Sequence, residues 1–161
     1  MLTSSGYLRP ESLCVKPGLL VWCLYIDLVC LDQAGNVLDA AVSALTAALA
    51  STSLPSVSVD PESGEVAVSA TERSPLPLAT SPVSSTFAVF PDPASATPHI
   101  LSDPSREEEQ LADCTLTVVT VGDDVCHVQQ SGGAQVEPGL LQQAVHLSLA
   151  RAKLVETTIP S

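Results

Sequence analysis

The chain has 161 residues, enough for one domain, and 45% of them are hydrophobic, so it is not compositionally disordered. Six basic residues stand against eighteen acidic ones, a formal net charge of −12. That balance argues against a chain that grips nucleic acid by its own field, which rests on Lys and Arg against phosphate, and fits a solvated acidic surface.

Residues 1–18 are polar and carry Pro10, Pro17 and Gly18, the pattern of an irregular lead-in. They show neither the apolar core of a secretory signal nor the Arg-rich pattern of a transit peptide. Leu19–Leu31, LLVWCLYIDLVCL, comes next, with Asp27 as its one charge. It is too short to cross a bilayer, which needs about 20 apolar residues. Val21, Tyr25, Ile26 and Val29 give it strand character. Read with period two, Leu20, Trp22, Leu24, Ile26, Leu28 and Cys30 form one apolar face. Val21, Cys23, Tyr25, Asp27, Val29 and Leu31 form the other. Such a strand belongs in the middle of a sheet covered by helices. Asp32–Asn36 reads as a turn in which Gly35 and Asn36 can take positive φ, and Asn36 can cap the next element. Val37, Leu38, Ala41, Ala44, Leu45, Ala48 and Leu49 then fall at helical spacing, predicting a helix over Val37–Ala50.

Val57–Asp60 and Glu65–Ser69 read as short strands around a turn at Pro61–Gly64. Thr71–Pro82 is rich in Ser and Pro, a loop or a poor edge. Val83–Phe90 alternates as a strand, Pro91–Pro98 is a loop, and Ile100–Asp103 is a short strand. Ser105–Leu111 reads as an acidic connection. Cys114–Val121 and Val125–Gln129 pair through Gly122-Asp123-Asp124. Pro138 opens a last helix running to about Thr157, with Leu140, Leu141, Ala144, Val145, Leu147, Ala152, Leu154 and Val155 as its apolar face.

Five cysteines, Cys14, Cys23, Cys30, Cys114 and Cys126, include no CxxC pair, and Cys23 and Cys30 would sit on opposite faces of one strand. They read as buried free thiols rather than a zinc site. His99, His127 and His146 are scattered, with no Cys or His at ligand spacing. There is no GxSxG elbow, and Ser131-Gly132-Gly133 lacks the length and the Lys of a phosphate loop. The one place that could do chemistry is the acidic cluster Asp103, Glu107, Glu108, Glu109 and Asp113. Carboxylates between strands can hold Mg²⁺ or act as acid and base, and they can equally form a solvated turn.

The block Leu13–Leu49, LCVKPGLLVWCLYIDLVCLDQAGNVLDAAVSALTAAL, resembles part of an RNase PH-type domain, as found in ring subunits of the RNA exosome. Thr86–Phe90, Asp103-Pro104 with Glu107-Glu108-Glu109, and Leu116–Val119 extend the resemblance from about Glu11 to the end. It implies an α+β fold, the C-terminal portion of an RNase PH-like domain of the ribosomal protein S5 domain 2-like type, with a mixed sheet and covering helices. Residues 1–10 would be an unrelated lead-in, 11–70 the remainder of the first RNase PH-like half, 71–82 a Ser/Pro-rich linker and 83–161 the second half. The family's N-terminal strands, with their Arg-rich RNA contacts and phosphate site, have no counterpart before Glu11. The resemblance therefore implies N-terminal truncation, with the apolar strand left short of sheet neighbours and exposed.

Active phosphorolytic relatives carry a Glu-Asp pair in the acidic segment and a second Asp six residues after the first. Aligned through Leu116–Val119, Glu109 takes the first Asp position and Thr115 the second. These are degenerate positions, since threonine cannot hold a metal as a carboxylate does, although Asp113 lies close by. The resemblance thus implies a non-catalytic ring subunit in 3′-to-5′ RNA processing and degradation, with no catalytic residue, cofactor or metal. Its implied partners are other RNase PH-like subunits and the S1/KH cap subunits, with RNA met only through the assembled complex and no membrane. Nucleus, nucleolus and cytoplasm are the implied locations. The alternatives are a phosphorolytic 3′-to-5′ exoribonuclease and a truncated product without a stable fold.

Overall fold

The computed structural model describes residues 5–60, 62–92, 98–133 and 135–158. Most of the expected Pro91–Pro98 loop, with Pro61 of the first turn, lies outside them. After a 3₁₀ turn at Pro10–Leu13, the order is β1 (Cys14–Lys16), β2 (Leu20–Val21), α1 (Val37–Ala50), β3 (Ser53–Val59), β4 (Val66–Pro75), β5 (Pro82–Phe90), β6 (His99–Ser102), α2 (Arg106–Leu111), β7 (Cys114–Val121), β8 (Asp124–Gly132) and α3 (Pro138–Thr158).

The architecture is α+β, as expected. A four-stranded sheet runs β6-β5-β7-β8, and β1-β2 and β3-β4 form two-stranded ribbons. Every pairing among the described residues is antiparallel, whereas a mixed sheet was expected. β1-β2, β3-β4, β5-β6 and β7-β8 are consecutive in the chain and joined by short connections, which allow only antiparallel pairs.

β5 is one of the two inner strands, with β7, and is buried from Pro82 to Val89. Phe87 joins Leu116, Val118 and Ala144 in one cluster, and Val89 joins Cys114 and Leu140 in another, so α3 covers this face. Ser84 and Thr86 alternate with these and meet Asp39 of α1 instead. A third cluster, Tyr7, Leu45, Leu49 and Leu76, lies where α1 meets the segment before β5. Tyr7 brings the lead-in onto the body, its hydroxyl donating to the Thr46 carbonyl at 3.3 Å and its carbonyl accepting from Ala79 N at 2.9 Å. Thr71–Pro75 continues β4 as an exposed edge.

Three expectations need correction. The predicted strand over Leu19–Leu31 is a strand only at Leu20–Val21. Trp22 N donates to the Leu13 carbonyl at 2.8 Å, and residues 23–31 then run on without regular structure. Tyr25 is 91% exposed and Leu31 94% exposed. A strand is held by its neighbours, and no described residue supplies a ladder beyond Trp22, so apolar character alone does not order it. The stretch is short of neighbours and exposed, as the resemblance implied.

Helix α1 forms where expected but turned about its axis. Asp39, Val42, Leu45 and Leu49 face inward, while Val37 and Leu38 are exposed. The polar bonds of Asp39 set this rotation. The cysteines were expected to be buried, yet Cys14, Cys23 and Cys30 are exposed, Cys126 is half-buried and only Cys114 is buried. The first three lie in or beside the uncovered segment.

Gly35 and Asn36 both take positive φ, 106° and 48°. A Cβ on Gly35 would lie 2.5 Å from Arg106 N and from the Pro104 carbonyl oxygen, so the turn before α1 is pressed directly against the start of α2. Arg106 N donates to the Ala34 carbonyl at 2.9 Å across the same contact.

Candidate functional site

The acidic segment is more ordered than a connection. Ser105 caps α2 in a capping box: its Oγ accepts from Glu108 N at 3.3 Å, and Glu108 Oε2 accepts from Ser105 N at 2.7 Å. The Ser105-x-x-Glu108 signature of this box is present in the sequence, inside what reads there only as a run of charge. Three glutamates in this first turn also complement the positive end of the helix.

The five acidic candidates take separate roles. Glu108 serves the cap. Glu109 Oε1 accepts from Asn36 N at 2.9 Å, and Asp103 Oδ1 accepts from Asn36 Nδ2 at 2.6 Å. These two therefore tie α2 and its lead-in to the α1 turn. Glu107 and Asp113 are exposed. The Asp113 amide starts β7 by donating to the Val89 carbonyl at 3.0 Å.

Glu109, Asp113 and Thr115 do come together along one shallow cleft of about 340 Å³, completed by Ala112, Cys114, Ser131 and Gly132. Gly132, at φ 113°, allows β8 to close on this wall, where a Cβ would lie 2.7 Å from the Asp113 carbonyl oxygen. Burial pushes the Cys114 thiol up, and the Asp113 carboxylate adds to the shift, so the thiol is held in its neutral, weakly nucleophilic form. Among the described residues, no group of three or more His, Cys, Asp or Glu side chains is arranged to hold a metal ion. The histidines are not gathered: His99 Nε2 lies 3.0 Å from Asp92 Oδ2 at the surface, His127 is on β8 and His146 is exposed on α3.

The best-connected polar group is one the sequence reading placed only within a helix. Asp39 is 4% exposed and accepts five hydrogen bonds. Ser84 Oγ (2.6 Å) and Thr86 Oγ1 (2.9 Å) donate to Oδ1. Asn36 Nδ2 (3.0 Å), Thr86 N (3.0 Å) and Arg151 Nη1 (2.7 Å) donate to Oδ2. Thr117 Oγ1 extends the set, 2.9 Å from Thr86 Oγ1. Burial alone would raise the Asp39 carboxyl, but the bonds from Ser84, Arg151, Asn36 and Thr86 outweigh it and hold the group below the usual carboxylate range. The available signal was an Asp in the first turn of a helix with no other charge, with Ser and Thr alternating on a later strand. This network joins α1, β5, β7 and α3, and it touches the cleft only through Asn36 and Glu109.

The family profile described as 3′ exoribonuclease family, domain 1 matches residues 8–55, and that of domain 2 matches residues 80–151. The chain belongs to the RNase PH-type 3′ exoribonuclease family. The exosome complex component Rrp42 of Methanothermobacter thermautotrophicus is 33% identical over 148 residues, covering 91% of this chain and 52% of the relative. The exosome complex component rrp43 of Schizosaccharomyces pombe is 31% identical over 153 residues, covering 94% and 54%. A solved Archaeoglobus fulgidus exosome with RNA bound to the active site superposes with a TM-score of 0.77 at 30% identity, over 98% of this chain and 56% of that one. The chain thus spans about half the length of the curated relatives it matches. Within the RNase PH family, the domain 2 match runs from just before β5 well into α3, so it contains both the Asp39 partners on β5 and the whole cleft wall on β7. No helix among the described residues is long and apolar enough to cross a membrane.

Proposed function

We propose that the chain is a non-catalytic subunit of an RNA exosome ring, supporting 3′-to-5′ RNA processing and degradation, including rRNA maturation and mRNA decay. The observation that carries this reading is the superposition of nearly the whole chain on an archaeal exosome chain at 30% identity. The non-catalytic assignment rests on the cleft. Glu109 is tied to the Asn36 amide, and on the resemblance Thr115 takes the position of the second carboxylate of active relatives. Glu109 then faces a threonine where a second carboxylate would be needed to form an acidic pair, and the reading needs no cofactor. Among ring subunits, the blocks Leu13–Leu49 and Thr86–Phe90 resemble exosome component 8, also called Opa-interacting protein 2. Residues 11–70 then correspond to the first RNase PH-like half and 83–161 to the second.

The partners of this reading are other RNase PH-like ring subunits and the S1/KH cap subunits. With a net charge of −12, the chain meets RNA through the assembled complex rather than by its own surface. Nucleus, nucleolus and cytoplasm are its locations on this reading. Affinity purification of the tagged chain tests the assignment. RNase PH-like and S1/KH subunits are expected to co-purify, and their absence would refute it. Phosphate-dependent trimming of an RNA oligonucleotide tests the catalytic point. No trimming above background is expected, and an activity that Asp113→Asn abolishes would overturn the non-catalytic reading.

A further inference from the structure

We propose that the turn Ala34–Asp39 is the joint of a two-body chain, at which the halves part as units with both apolar cores intact, releasing α2 and the wall of the cleft. This does not rest on the ring reading. The two family matches, residues 8–55 and 80–151, divide the chain shortly before β5. The apolar clusters divide at the same place. Tyr7, Leu45, Leu49 and Leu76, with every residue packed on them, lie at or before Leu78. The clusters built on Phe87 and Val89 take all their members from Phe87 onward. Among the described residues, no apolar cluster spans the two halves.

Polar groups cross where apolar ones do not, and they gather on one turn. The Ala34 carbonyl accepts from Arg106 N at 2.9 Å. Asn36 donates its amide to Glu109 and its Nδ2 to Asp103. Asp39 accepts from Ser84, Thr86 and Arg151. Helix α1 shows the division within itself: Leu45 and Leu49 turn to the first core, and Asp39 turns to the second half. Such a joint opens at lower cost than a core. Its polar groups bond to water when they part, whereas exposed apolar surface gains nothing in return. Bodies of one chain that meet through a small polar contact move relative to each other. A pivot lies beside it. Ala79 N is tied to the Tyr7 carbonyl, and β5 begins at Pro82. Thr80 and Ser81, between them, are exposed and belong to no helix or strand.

Opening reaches the cleft. Helix α2 has six residues, none of them buried. Beyond its own capping box it is held by the turn, through Arg106 N on the Ala34 carbonyl, Glu109 on the Asn36 amide and the close approach of Gly35. These contacts go together when the turn withdraws, and Glu109 is then free of the position it holds in the cleft wall. The closed joint is what fixes that wall.

Native-state hydrogen exchange of the full chain, read residue by residue by NMR in low urea, tests this. The amides of Asn36, Thr86 and Arg106 each donate across the joint. They should share one protection factor and one urea slope, with protection at least ~10-fold below that of Leu49 in the first core and Val118 in the second. Asp39→Asn should speed exchange at Asn36 and Arg106 by the same factor as at Thr86, although the Asp39 carboxylate bonds to neither of those amides. Three unrelated rates without a urea slope would overturn the proposal, because the openings would then be local. Exchange in step with Leu49 and Val118 would overturn it as well, as would an Asp39→Asn effect confined to Thr86.

Discussion

Replacing Asp39 with alanine tests whether this carboxylate organises the junction of α1, β5 and α3. The substitution removes the acceptor of five hydrogen bonds, and the consequences differ by donor. Asn36 Nδ2 keeps Asp103, and Thr86 Oγ1 keeps Thr117. Ser84 Oγ and Thr86 N lose the acceptor they share, inside a strand whose residues there are about 4% exposed. An unsatisfied buried donor costs roughly 1–3 kcal/mol, so these two cost about 2–6 kcal/mol together. The Arg151 side chain is 41% exposed and turns to water, adding little. The expected loss is therefore about 4 kcal/mol, against a total of roughly 5–15 kcal/mol for a typical domain. Arg151→Ala should cost about 1 kcal/mol or less, because Asp39 keeps four donors without it. Urea titration followed by far-UV circular dichroism, with equal m-values across the set, reads both. Equal losses for Asp39→Ala and Arg151→Ala would refute the reasoning, because they would make the ion pair rather than the neutral donors the dominant partner.

The same carboxylate sets a pH dependence. Its folded-state value lies below its unfolded value, so the folded chain binds this proton more weakly. The stabilisation is present above the ordinary carboxylate range and is lost as pH falls through the lowered value, and Asp39→Asn should flatten that part of a stability–pH curve. Gly35→Ala should lower the melting temperature strongly, since the residue combines φ 106° with backbone atoms 2.5 Å from the position of a Cβ. Alkylation of the native chain with iodoacetamide, followed by peptide mass spectrometry, should label Cys14, Cys23 and Cys30 quickly and Cys114 last, because Cys114 is buried with a raised thiol value. Rapid labelling of Cys114 would contradict its place beneath α3.

Local patterning made most elements legible. The alternation of Val83–Phe90 and Cys114–Val121 gives β5 and β7 to within a residue, and Pro138 marks the start of α3. Helix α1 has the expected ends, but its inward face was misread because hydropathy weighs Val37 and Leu38 above Asp39. Direction is set here by bonds to Ser84, Thr86 and Arg151, residues 45 to 112 positions away. No local window contains them. The cleft was legible in composition and not in roles. Glu108 could be identified through its capping box with Ser105, whereas the engagement of Glu109 with Asn36 N spans 73 positions.

The sharpest contrast is between two strand-like stretches. Leu19–Leu31 is the more apolar and the more exposed, while β5 carries Ser84, Ser85 and Thr86 and is buried throughout that run. The difference lies in whether the backbone is answered. β7 pairs one edge of β5 along eight residues, from Pro82 to Val89. β6 pairs the other edge only from Phe87 to Phe90, and at Thr86 the edge is closed by Asp103 N donating to its carbonyl and Asp39 accepting from its amide. A side-chain carboxylate thus continues the work of a strand that has stopped. Thr86 can be buried because each of its polar groups has a partner, and Tyr25 cannot be, because no described residue offers its segment a ladder. Burial in this chain follows the satisfaction of backbone groups first and side-chain hydropathy second. A second strand offered to Leu19–Leu31 should therefore order the segment by pairing its backbone, and the apolar faces would then bury as a consequence.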